Sequence, residues 1–283
     1  MIKKIISGAC LVLLAGCVLG VKPAGKETGF MIDSGRFAGM DGCAIVFDAR
    51  MGKIAGVYGE KRCKERVTAC STFKVPLALM AFDSGVLSDE STVLKWDGVQ
   101  WPFDSWNQDQ TAASWLRNSV VWYSQRLTPM LGLEKIKAYL KAFDYGNQDF
   151  SSGLTSAWLT ITKSDTNPDK GSLKISAYEE LEFFRRFWRG ALPVSGAAVE
   201  KTKKMIYLET SPGGYALHGK TGSGYLDGLT GDFGWFAGHV EGKGREYFVV
   251  TAVTRNGNAA DARIPGLVAK ELAKNILKDN SVW

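Results

Sequence analysis

The chain has 283 residues, with 35 lysines and arginines against 29 aspartates and glutamates and a formal net charge of +6. Hydrophobic residues make up 45% and charged residues 23%, a balance that excludes a disordered or collagen-like chain and allows a sizeable core. The mild basic excess carries no charge run and no basic–aromatic stripe, which argues against nucleic acid as a partner.

The chain opens with Lys3 and Lys4, an apolar run from Ile5 to Leu14 and then small residues, the pattern of an export signal over 1–16. That run is too short for a permanent membrane span. Leu14-Ala15-Gly16-Cys17 resembles the lipobox of bacterial lipoproteins, in which the cysteine is lipidated; the alternative is an ordinary signal cut near Gly20. The expectation is an exported, periplasmic protein with Cys17 as a lipid tether to a membrane surface. Residues 17–30 then form a linker and 31–283 a single domain.

Apolar runs at 42–47 and 53–58 flank the turn Asp48-Ala49-Arg50-Met51-Gly52 and predict a hairpin. Cys43 then falls near the far end of the second strand, within reach of Cys63 in an oxidising compartment, so a Cys43–Cys63 disulfide is expected. Cys70 is left as a buried thiol.

The run Cys70-Ser71-Thr72-Phe73-Lys74-Val75-Pro76 reads as a helix start, since proline is tolerated only in a first turn. Ser71 and Lys74, three apart, then share a helix face and make a potential nucleophile and base. The bland alternative is a serine that only caps the helix. Apolar spacing predicts that this helix ends near Gly85, with further helices over 112–125, 133–143, 177–189 and 196–208. The Trp-, Asp- and Pro-rich stretch 96–107 reads as a loop. Strands follow at 216–221, 231–240 and 247–254, and a last helix runs to about Lys278 with Leu267, Val268, Leu272, Ile276 and Leu277 on one face. The fold class is α/β in the α+β sense: a sheet lobe from about 31–70 and 209–283, with a helical lobe of about 71–208 inserted.

Downstream of Ser71-Thr72-Phe73-Lys74 come Ser119-Val120-Val121, Tyr145-Gly146-Asn147, Trp158 and Lys220-Thr221-Gly222. Each alone has an ordinary structural reading; their order and spacing together do not. With Lys95-Trp96-Asp97 and Gly234-Trp235-Phe236, the set resembles the class D, oxacillinase-type serine β-lactamases from about residue 40 to the end. The resemblance implies the penicillin-recognising serine hydrolase fold, an antiparallel sheet flanked by N- and C-terminal helices, and a β-lactam substrate.

It further implies that Ser71 is acylated and the ester then hydrolysed, with Lys74 as base after carbon dioxide converts it to a carbamate (N6-carboxylysine). Only a neutral amine reacts with carbon dioxide, and burial favours that form. Trp158, whose indole N–H is a donor only, would hold the carbamate. Ser119 would help pass a proton to the leaving nitrogen, and Lys220 and Thr221 would bind the substrate carboxylate. The backbone N–H groups of Ser71 and Ser223 would form the oxyanion hole. Val121, Tyr145, Asn147 and Gly222 complete the expected substrate site. An arginine before the last helix grips the carboxylate in many relatives; Arg263 stands there, with Arg255 as a possible substitute. The polar segment 162–171 looks longer than in some relatives.

No metal ligand set is expected, His218 and His239 being the only histidines and reading as ordinary strand residues. Carbon dioxide or bicarbonate is the only small molecule implied besides substrate. Two rivals remain: a β-lactam sensor that keeps its acyl group, and a peptidoglycan transpeptidase or carboxypeptidase. Substrate spectrum and oligomeric state are not legible.

Overall fold

The structure, a computed structural model, describes residues 29–160, 171–225, 232–255 and 263–283. The leader, Cys17 and residues 162–170 of the polar segment lie outside the described residues. No helix among the described residues is long and apolar enough to cross a membrane.

Strands β1 (Asp41–Asp48) and β2 (Lys53–Tyr58) form the expected hairpin. A short helix α1 (Glu60–Lys64) and strand β3 (Val67–Thr68) lead to a 3-10 turn, Cys70–Phe73, which runs into α2 (Lys74–Asp83). The two-residue strands β4 (Val93–Leu94) and β5 (Gln110–Thr111) pair across the Trp-rich loop. Helices α3 (Ala112–Asn118), α4 (Val121–Leu131) and α5 (Leu133–Phe143) follow, then β6 (Lys174–Ile175), α6 (Ala177–Trp188) and α7 (Gly196–Met205). The chain closes with β7 (Tyr207–Thr210), β8 (Ala216–Tyr225), β9 (Asp232–Gly242), β10 (Arg245–Arg255) and α8 (Pro265–Asp279).

The main sheet is antiparallel with the order β2-β1-β10-β9-β8-β7, so the two chain ends build it together. Strand alternation divides its side chains between two cores. Cys43, Ile45 and Phe47 of β1 face the helices, whereas Ala44 and Val46 face α8. Both faces are covered, which is why these strands read as unbroken apolar runs. Helix α2 lies in the helical core with every residue from Lys74 to Phe82 buried, so it is apolar on all sides except for one lysine.

Several expectations need correction. The helix predicted over 112–125 is two helices, because Ser119 takes a left-handed backbone with φ 57° and caps α3. The helix predicted to reach 208 stops at Met205, and Tyr207–Thr210 is the edge strand β7. Helix α6 belongs less to an inserted lobe than to the sheet, since it packs against β1, β9 and β10. Leu267 does not join its helix's buried face; it is 43% exposed.

The expected Cys43–Cys63 disulfide is not formed: Cys43, Cys63 and Cys70 are all buried free thiols. Cys43 and Cys63 do lie together. The Cys63 thiol points at the carbonyl of Tyr58, 3.4 Å away, and the hydrogen bond with Cys63, with burial second, raises the Cys43 pKa well above its ordinary value. A Cys43 thiol held protonated supplies little of the thiolate that oxidation requires.

Close backbone approach explains two glycines. A Cβ on Gly266, at the start of α8, would lie 2.5 Å from the Gly222 carbonyl oxygen and 2.7 Å from Ser223 Oγ. A Cβ on Gly222 would lie 3.3 Å from the backbone nitrogen of Ser71. The last helix, the strand β8 and the Ser71 turn are thus stacked with no room between them. Gly266→Ala should therefore cost about 1–3 kcal/mol of stability through overpacking, read as a lower urea midpoint.

Candidate active site

The turn that carries Ser71 is held in an uncommon backbone conformation. Cys70 has φ 52°, a left-handed value that a residue with a side chain adopts only when its surroundings impose it. The indole N–H of Trp235 on β9 donates to the Thr68 carbonyl at 3.1 Å just upstream. One turn into the helix, Lys74 Nζ donates to Ser71 Oγ at 2.9 Å.

Lys74 is fully buried, and burial, then the charge of Lys220, lowers its pKa well below the ordinary lysine value. A neutral amine is the favoured form. Its surroundings are aromatic: Phe73 packs against Trp158, Phe150 and Tyr145 with ring centroids 5.4, 5.6 and 6.2 Å apart. Among the described residues, the buried Trp158 Nε1 has no hydrogen-bond partner. Such an orphan donor costs free energy, and it suits an acceptor group.

The break between α3 and α4 turns Ser119 out of both helices and into the cleft. Lys220 Nζ, from β8, donates to Ser119 Oγ and to the Thr221 carbonyl, each at 2.9 Å. Burial, then the charge of Lys270, brings the Lys220 pKa down to about 7. Ser71, Ser119, Val121, Thr221 and Ser223 line one cleft of about 290 Å³, near the lower end of small-molecule pocket sizes.

Other expected site residues lie elsewhere. Tyr145 is fully buried and donates to Glu180 Oε1 at 3.1 Å. Asn147 Nδ2 donates to the Ser172 carbonyl at 2.6 Å, and its Oδ1 accepts from the Lys174 backbone at 2.9 Å. Both support the fold beneath the cleft and do not line it, because the Tyr-Gly-Asn turn is spent on tying α5 to β6. Gly222 acts through its missing side chain, as described above. Arg255 is buried and paired with Asp232 at 2.8 Å. Arg263 is exposed, and its neighbour Ile264 lines the cleft in its place. His218 and His239 face each other across β8 and β9 and bring ligand-type atoms within 4.8 Å of Glu241, but neither lines the cleft.

The lining also includes residues that the sequence does not assign to a site, among them Phe103, Trp106, Arg117 and Leu267. The Trp-rich loop held the available signal. Trp106 donates its indole N–H to the Asn118 carbonyl at 2.9 Å, and Trp122 donates to the Trp106 carbonyl at 2.9 Å. Those bonds lash the loop to the segment that bears Ser119.

A profile described as the penicillin binding protein transpeptidase domain matches residues 42–278. Beta-lactamase OXA-1 of Escherichia coli is 39% identical over 248 residues, covering 85% of each chain. The solved class D beta-lactamase BAT-2 is similar with a TM-score of 0.76 and 35% identity, over 88% of this chain and 95% of that one. The chain belongs to the class D serine β-lactamases. The methicillin resistance mecR1 protein of Staphylococcus aureus is also 33% identical over 243 residues, 86% of this chain but 38% of that protein. As a class D β-lactamase the chain is a hydrolase of β-lactams, and its fold is the penicillin-recognising one.

Beneath this β-lactamase site lies a buried acid. Glu180 Oε1 accepts from Tyr145 and bonds Thr72 Oγ1, while Oε2 has no partner among the described residues. Burial raises its pKa from 4.5 to about 7. The folded state therefore binds more protons than the unfolded one between those values, and this group's contribution to stability is full below pH 4.5 and lost as pH rises through about 7. Glu180→Gln should remove that slope, measured as the wild-type minus variant difference in urea midpoint across the same pH range.

Proposed function

We propose that this enzyme hydrolyses penicillin- and oxacillin-type β-lactams through a Ser71 acyl-enzyme, with Lys74 carbamylated by carbon dioxide as the general base, and that it confers antibiotic resistance. The observation that carries the reading is the fully buried Lys74, its pKa lowered by burial and its Nζ 2.9 Å from Ser71 Oγ; among the described residues the buried Trp158 Nε1 has no hydrogen-bond partner, and its ring packs against Phe73, next to Lys74 in the chain. Carbamylation joins the amine nitrogen to carbon dioxide and releases one proton, so it needs an unprotonated lysine, the form that burial selects. When present, the carbamate supplies a carboxylate-like base within a dry pocket, and Trp158 Nε1 is the donor suited to hold it.

Around that base the chain's own groups divide the work. Ser71 Oγ attacks the lactam carbonyl carbon, a C–N bond breaks, and the backbone N–H groups of Ser71 and Ser223 receive the developing oxyanion. Ser119, hydrogen-bonded to Lys220, passes a proton to the leaving nitrogen. Thr221 and Lys220 hold the substrate carboxylate, and Val121 keeps the floor of the cleft apolar. Water then cleaves the ester and frees Ser71.

The leader supports a further part of the reading: export to the periplasm, with Cys17 as a lipid anchor. A sensor that acylates without turnover is the alternative that the match to mecR1 brings in.

Intact mass and lactam absorbance with a penicillin, with and without added bicarbonate, test the proposal. Turnover that rises with bicarbonate and leaves no lasting adduct is expected. A stable one-to-one adduct on Ser71 would sink it in favour of a sensor. Trp158→Phe, which removes the buried Nε1 donor suited to hold the proposed carbamate, should shift the enzyme towards accumulated acyl-adduct and a steeper bicarbonate dependence.

A further inference from the structure

The carboxylate that ring-fused β-lactams carry needs a positive partner, and neither arginine expected from the sequence is placed to be one. Arg255 is committed to Asp232, and Arg263 is exposed and absent from the cleft lining. Arg117 lines the cleft instead, together with Thr221, Ser119 and Leu267.

A smaller cavity of about 120 Å³ adjoins the cleft behind the Lys220–Thr221 edge, lined among others by Arg117, Lys220, Thr221, Tyr207, Leu267 and Lys270. Arg117, Thr221 and Leu267 border both spaces, so the arginine stands at their junction. Among the described residues, no aspartate or glutamate lines either space. Among the described residues, moreover, Arg117 makes no hydrogen bond or ion pair with another side chain. Arg117, Lys220 and Lys270 thus converge on one wall whose described lining holds no anion. Such a wall concentrates an anionic ligand and orients it, and a guanidinium adds two parallel donors that match a carboxylate.

We propose that Arg117 is a substrate-binding and specificity residue of this enzyme, receiving the β-lactam carboxylate at the Thr221 end of the cleft, with Lys270 adding positive potential from the adjoining cavity. The proposal rests on the reading of Ser71 as the acylated nucleophile. Arg117 lies two residues before Ser119 on the turn that ends α3, so the residue that holds the substrate and the one that serves the leaving nitrogen are positioned by one backbone break. The arginine binds charge and takes no part in bond making, so its loss should weaken substrate capture and spare the chemical steps.

The test compares the wild-type enzyme with Arg117→Gln, Arg117→Lys and Arg263→Gln, using a penicillin and its carboxylate methyl ester. Arg117→Gln should raise KM about tenfold to a hundredfold, the loss expected for one charge-assisted contact, with kcat little changed. Arg117→Lys should fall between the two. The ester should be a poor substrate of the wild type, and Arg117→Gln should lose most of that preference for the free acid. An unchanged thermal midpoint, expected for an exposed residue, separates binding from folding. If Arg117→Gln keeps the wild-type KM and acid-to-ester ratio, or if Arg263→Gln alone abolishes the ratio, Arg117 is an ordinary surface residue and the proposal is overturned. Should the wild type acylate without turnover, the hydrolytic reading fails by itself, and the second-order rate of Ser71 acylation by intact mass gives the same comparison for Arg117.

Discussion

An amine buried among aromatic rings is the constraint on which this enzyme rests. Lys74 sits inside a helix with no exposed residue between itself and Phe82, where an ammonium ion without an anionic partner is costly. Among the described residues, no carboxylate pairs with it. Instead the fold places Lys220 across the cleft, and Lys270 behind Lys220, so that each positive charge makes the next less favourable. The outcome is a graded line of basic groups, from a partly exposed lysine to a neutral one. The neutral end touches the nucleophile.

Rigidity around that amine comes from groups that never meet the substrate. Thr72, between Ser71 and Phe73, is bonded to Glu180 on α6, and Tyr145 reaches the same carboxyl from the turn after α5. Trp235 ties the segment before Cys70 to the sheet. The 3-10 turn is therefore fixed from three directions, and its left-handed Cys70 persists because no neighbour can give way. Strain of this kind is retained where the surroundings over-determine it.

Much of this was legible in the residues. The hairpin of β1 and β2, the proline-marked start of α2 and the closing strands follow from period and punctuation, and the order of the Ser-Lys, Ser-Val-Val, Trp and Lys-Thr-Gly groups carried the family. What stayed hidden depended on backbone exceptions and on distance. Nothing in Leu116-Arg117-Asn118-Ser119 announces a left-handed serine, so one periodic helix was the natural reading where two exist. Tyr207–Thr210 became a strand because β8 offers it an edge, a tertiary preference that overrides local pattern. Tyr145 and Asn147 read as substrate residues because a motif names residues without saying which way they face. Arg117 was passed over for the converse reason: it belongs to no motif and matters through the company it keeps.

The sheet order also governs how the chain can be made. Strand β1 has its partner in β10, with Asp41 set opposite Thr254, so the first strand to be synthesised waits for one of the last. Such long-range closure gives a high contact order and slow, late folding. Ser71 is synthesised before both the wall of β8 that faces it and the helix α8 that seals β8. Until β10 has been made, β1 has only β2 to pair with. The antibiotic cleft comes into being only when the two ends of the polypeptide meet, which makes the C-terminal strands the step at which a truncated or stalled chain would be left without any activity at all.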